Sequence, residues 1–143
     1  MLTVERSIII NKPVKDVFDF ITAEGNSLKI QPDVTEIVDH GPRNTVGSSY
    51  TEVRKFIGQE MRTTMELTVF EPEKKWVAKV IKGPVPYEMT ITYEPVAGGT
   101  KYTCSISGET KGFFKLAENL VAVQLGKTLE HSNQLLKELV EKA

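Results

Sequence analysis

The feature that most constrains this chain is its final stretch, "GFFKLAENLVAVQLGKTLEHSNQLLKELVEK", where apolar residues recur with a helical period. Phe113, Ala117, Leu120, Val121, Leu125, Leu129, Leu135, Leu136, Leu139 and Val140 fall on one stripe. Lys115, Asn119, Lys127, Glu130, Lys137 and Glu141 fall opposite it. Residues 113 to 141 thus predict one helix, about 43 Å long at about 1.5 Å per residue. That is far longer than an average helix. Such a stripe has to be covered by a large apolar surface, and only the preceding strands can supply one.

Those strands are announced by alternation and by turns. "LTVERSIII" is β-branched and reads as a strand. In "NKPVKDVFDFITAEGN", Pro13 suits the first helical position and Val14, Val17, Phe18 and Ile21 share a helical face, with Gly25 as the stop. "SLKIQP" predicts a short second helix or turn, ended by Pro32, and "VTEIVDH" the next strand. From there "GSSYTEVRKFI" and "EMRTTMELTVFE" meet at a tight "GQ" turn, "EPEK" leads into "KWVAKVIK", "GPVP" into "YEMTITYEP", and "AGGT" into "KYTCSISGET". Strands joined by such short connections form an antiparallel meander. A twisted meander of this length curls around whatever lies on its concave face.

The predicted class is therefore α+β: a curved antiparallel sheet of about seven strands wrapped around a long C-terminal helix, with one or two short helices after the first strand. With 143 residues, one domain over 1–143 is expected. Several local pieces carry a family resemblance over essentially the whole chain. "SIIINKPVKDVFDFITAEGN", "VGSSYTEV", "VFEPEKKWV" and "GGTKYT" resemble the opening and the turns of the START-related (SRPBCC) superfamily, which includes polyketide cyclases/dehydrases and pollen-allergen-like ligand carriers. Where many of those relatives carry a tryptophan before the proline that follows the first helix, this chain has Ile30 and Gln31 ahead of Pro32. The resemblance implies the helix-grip fold and a cavity for a hydrophobic small molecule between sheet and helix, in which some members cyclise or dehydrate their substrate.

Thr128 and Ser132 stand in the middle of the helix stripe, where a core face should be driest. Either they bond back to carbonyls one turn earlier, or they face a cavity that one straight helix leaves unfilled on a bent sheet. Across from them, alternation places Met61, Thr63, Met65, Leu67 and Val69 on one face. Trp76, Ala78 and Val80 share that wall, as do Tyr87, Met89, Ile91 and Tyr93, and Tyr102, Cys104 and Ile106. Together with Leu125, Thr128, Leu129 and Ser132 they are the candidate lining, rich in adaptable methionine and flat tyrosine. The third strand is ambiguous: Tyr50, Glu52, Arg54 and Phe56 face inward, or Thr51, Val53, Lys55 and Ile57 do. The second set is slightly more apolar and is preferred.

Phe113 and Phe114 are candidates for a cavity entrance or a dimer contact. Catalysis would require a paired acid and base. Tyr87, Tyr93, Glu52, Arg54, Glu109 and His131 are candidates, but no spacing brings two of them together, and the residues leave catalysis open. His40 and His131 lack the companions of a metal site, and Cys104, the only cysteine, rules out an internal disulfide. Neither metal nor cofactor is expected. A net charge of −1 leaves no basic footprint for nucleic acid. The short apolar run at the start is neither a signal segment nor a membrane span, so a cytoplasmic monomer or homodimer is expected. The function expected is binding, with transport as its extension, of a lipid or polyketide-like ring. The alternatives are a cyclase/dehydrase using the same cavity and a protein-interaction module whose cavity is incidental.

Overall fold

A computed structural model describes residues 2–110 and 112–143, without the side chains of Phe113 and Phe114. The chain runs β1 (Leu2–Ile10), α1 (Val14–Thr22), α2 (Asn26–Lys29), β2 (Val34–Asp39), β3 (Ser49–Phe56), β4 (Gln59–Glu71), β5 (Lys75–Lys82), β6 (Tyr87–Val96), β7 (Gly99–Gly108), α3 (Phe113–Leu116) and α4 (Glu118–Lys142). The strands form one antiparallel sheet in the order β1-β7-β6-β5-β4-β3-β2. After β1 the chain thus crosses from one edge of the sheet to the other, and α1 and α2 are that crossing. Their position caps one end of the concave face.

Local chemistry explains the boundaries. Pro13 sits just outside α1 as its N-cap, one place earlier than expected. Gly25 does not stop α1, which ends at Thr22; with a φ of 83° it instead turns the chain into α2. The turn between β3 and β4 is carried by Ile57 and Gly58, both at positive φ, rather than by the Gly-Gln pair. Two positive-φ residues match the right-handed strand twist in a two-residue hairpin.

The helix predicted over 113 to 141 is two helices. At Ala117 the backbone leaves helical geometry (φ −104°, ψ 24°), and α4 begins after it. Val121, Leu125, Leu129, Leu136 and Val140 are buried against the sheet, each worth roughly 1.5–3 kcal/mol of burial. Leu120, expected in the stripe, is exposed, because the buried line of α4 runs through Val121, Leu125 and Leu129 and Leu120 stands about 100° from it around the helix. The C-terminal end is fastened to the end of β1: Glu141 accepts from the Asn11 backbone N–H at 2.8 Å, and Lys137 donates to the Ile9 carbonyl at 2.9 Å. Among the described residues no helix is long and apolar enough to cross a membrane.

Candidate functional site

The concave face of the sheet is not filled by α4. A cavity of about 390 Å³ lies between them, within the range of small-molecule sites. A smaller lobe of about 70 Å³ lies toward Leu125 and Val121. Glu52, Arg54, Met89 and Ile106 border both. The larger volume reaches the surface between α1–α2, at Thr22, Glu24 and Leu28, and the β2–β3 loop, at Pro42, Arg43 and Asn44. Arg43 spans this mouth, donating to the Thr22 carbonyl at 3.3 Å and standing 3.8 Å from Asp39.

Of the predicted lining, Leu67, Trp76, Ile91, Tyr93, Tyr102, Cys104, Thr128, Leu129 and Ser132 border the larger volume, and Met61, Tyr87 and Leu125 the smaller. Thr63, Met65, Ala78 and Val80 border neither, the first three being fully buried behind the lining. Met65 sulfur accepts from the Tyr50 hydroxyl at 3.4 Å and the Tyr87 hydroxyl at 3.8 Å, which packs it into the wall. Thr128 and Ser132 make no hydrogen bond with any described residue, in contrast to Thr22, which does bond back to the Phe18 carbonyl at 2.8 Å. Their hydroxyls thus face the cavity and not their own helix. The cavity opens beside α2, far in sequence from the proposed Phe113 and Phe114 entrance, whose side chains lie outside the described residues.

Two readings of the wall need correction. A bulge between Leu67 and Val69 shifts the β4 register, so Phe70, opposite Trp76, lines the cavity and Val69, opposite Val77, does not. Phe70 then stacks toward Phe18 of α1 at 6.1 Å, and Phe18 continues edge-on to Tyr93 at 5.8 Å and Tyr93 to Tyr102 at 5.7 Å. Such edge-to-face pairs add about 0.5–1.5 kcal/mol each beyond burial.

The second correction is β3. The slightly more apolar set is not the inward one: Tyr50, Glu52 and Arg54 line the cavity, and register sets them opposite Met65, Thr63 and Met61. Buried charge is tolerated here because it is paired. Arg54 donates through Nε to Glu52 Oε1 at 3.0 Å, through Nη1 to Asp33 at 3.2 Å and through Nη2 to Gln31 at 3.0 Å. Gln31 in turn donates to the Ser27 carbonyl at 3.2 Å. The residues before Pro32 therefore have clear tasks: Ile30 is buried in the core and Gln31 helps tie α2 to β3.

Electrostatics follow from this burial. Desolvation alone would lower the Arg54 pKa, but Glu52, with Tyr87 and Asp33 behind it, outweighs that and raises it. Burial first, and the Glu52 charge second, push the Tyr50 and Tyr87 phenols well above their ordinary value. Burial does the same for Tyr93 and Tyr102. The Cys104 thiol is pushed up to about 12 by burial, against the opposing pull of Arg54. At neutral pH these phenols are donors and the thiol is not a nucleophile. Of the catalytic candidates, Glu52, Arg54, Tyr87 and Tyr93 reach the cavity walls, whereas Glu109 and His131 are exposed. Asp33, Gln31, Phe18 and Phe70 were missed, and Tyr50 stood only in the alternative for β3 that was not preferred. The Tyr50-Glu52-Arg54 spacing of two was the available signal, and its charge argued against burial.

An open antiparallel sheet curled around a C-terminal helix, with a cavity between them, defines the helix-grip class. Residues 1–141 match the family model described as polyketide cyclase/dehydrase and lipid transport, and the chain belongs to that family. Comparison with curated proteins found no match. Among solved structures, a protein from Thermus thermophilus is similar with a TM-score of 0.85 at 18% identity, over 99% of this chain and 98% of that one. A START superfamily protein from Mycobacterium smegmatis is similar with a TM-score of 0.81 at 14% identity, over 98% and 97%. The protein Ara h 8.0201 is similar with a TM-score of 0.75 at 14% identity, over 99% of each chain. At these identities the likeness is one of fold.

Proposed function

We propose that this protein binds an apolar small molecule, a lipid or polyketide-like ring, between α4 and the concave face of the sheet, and that transport is an extension of this binding. The observation that carries the reading is the cavity itself. About 390 Å³ stays unfilled although aromatic and aliphatic side chains surround it, and two helix hydroxyls point into it without a protein partner. A sealed core would have closed on those side chains, which counts against an incidental cavity in an interaction module. Native mass spectrometry of the purified protein, followed by organic extraction, tests it. A bound apolar molecule that is lost in Ser132→Leu, with folding intact, is the expected result; an empty wild-type protein that also fails to take up hydrophobic fluorescent probes would refute it.

A second reading is favoured by one observation, the Glu52 carboxylate on the cavity wall near protonated tyrosines. Cyclisation or dehydration needs a base to remove an acidic proton and an acid to help water leave. Glu52 is the base and Tyr87 the acid in this reading. Turnover of a polyketide-like substrate that falls in Glu52→Gln while binding persists is its expected result.

A further inference from the structure

The charges on the cavity wall specify the polar end of the molecule it takes. Glu52 is only 4% exposed and borders both lobes. Arg54 reaches it through Oε1 alone, and among the described residues nothing donates to Oε2. No buried side-chain oxygen of the described residues lacks a partner. Oε2 must therefore touch free volume and not packed protein, and the free volume beside it is the cavity. A carboxylate oxygen can only accept.

Arg54 does not offset this. Each of its three nitrogens makes a bond, to Glu52, Asp33 and Gln31, which engages three of the five guanidinium N–H groups, and its single charge is shared between two carboxylates. The wall thus carries one negative charge in excess. Among the other charged residues that border the larger volume, Glu24, Asp39 and Glu71 outnumber Arg43 and Lys75, so the bias there has the same sign. The elevated pKa values of Tyr50 and Tyr87, to which Glu52 contributes after burial, reflect the same field.

We infer that the cavity takes apolar molecules whose head donates a hydrogen bond, an amine or a hydroxyl held at Glu52 Oε2, and discriminates against apolar carboxylates of the same size. The inference rests on the ligand-binding reading above. An ammonium gains both a charge-assisted hydrogen bond and the field. A hydroxyl gains the hydrogen bond alone. A carboxylate would be desolvated beside a like charge, with only a cation already paired to two carboxylates to receive it.

Titration calorimetry of the purified protein with octylamine, octanol and octanoate at neutral pH separates the cases. Octanoate is expected to bind at least roughly tenfold more weakly than octylamine. Glu52→Gln, which keeps an acceptor for Arg54, should narrow that ratio to below about threefold. Asp33→Asn removes one charge from a more exposed position and should narrow the ratio in part, which keeps the test available if Glu52→Gln does not fold. Equal binding of octanoate and octylamine to the wild type, or a ratio unchanged in both variants, overturns the head-group inference and leaves the ligand-binding reading standing. Binding of none of the three overturns both.

Discussion

Replacing Arg54 with methionine probes the buried charges directly. Methionine fills the volume of the aliphatic stem but removes every donor facing Glu52, Asp33 and Gln31. The Arg54 side chain is 14% exposed and that of Glu52 5%, so Glu52 is left as an unpaired charge in a nearly dry wall. Removing one partner of a buried pair costs about 3–5 kcal/mol. Asp33, at 24%, can regain water, which places the expected loss near the low end, about 3 kcal/mol. With a urea slope of about 2 kcal/mol per molar for a protein of this size, the midpoint should fall by about 1.5 M. Trp76, the only tryptophan, lies on the cavity wall and reports the transition by fluorescence. Adding Glu52→Leu to Arg54→Met should recover part of the loss, because the uncompensated charge goes with it. A loss below about 1 kcal/mol for Arg54→Met would refute the reasoning: the pair would then behave like a hydrated surface contact.

Three other outcomes follow from the same geometry. A Cβ at Gly108 would run into the Pro86 carbonyl and stand 2.6 Å from Tyr87 Cβ, so Gly108→Ala should force β6 and β7 apart and cost about 2–3 kcal/mol in urea unfolding; a wild-type midpoint would contradict it. Cys104 should resist a thiol reagent in the native protein at mildly alkaline pH and react on unfolding, since its pKa is pushed up to about 12; fast native labelling would sink that account. The Asn11 backbone N–H, followed by Lys137, holds the Glu141 carboxyl below its ordinary value, so its contribution is present above the usual carboxylate range and is lost as pH falls through the depressed value. The stability gap between wild type and Glu141→Gln should accordingly be widest at neutral pH and close in acid. A gap that stays constant from neutral pH into acid would exclude the clamp as its source.

Much of this protein was legible because hydrophobic period and turn chemistry act locally. The limits of β5 and the alternation of β6 and β7 could be read from neighbouring residues alone, since a strand with one dry face must repeat every two residues. The apolar stripe of α4 and the turn residues between strands likewise required a sheet curled on a terminal helix, and with it the placement of Thr128 and Ser132 on the inner side. What only the tertiary structure decided were features whose energy comes from partners distant in sequence. The inward turn of Glu52 and Arg54 depends on Gln31 and Asp33, more than twenty residues earlier by their separation from Arg54, which bring compensating polar atoms to a wall that composition alone would have kept apolar. The exchange of Val69 for Phe70 depends on a bulge set by pairing with β5, and the position of the mouth on a chain crossing between the two sheet edges. Local sequence carries the period of each element; register, charge compensation and unfilled volume exist only once those elements meet.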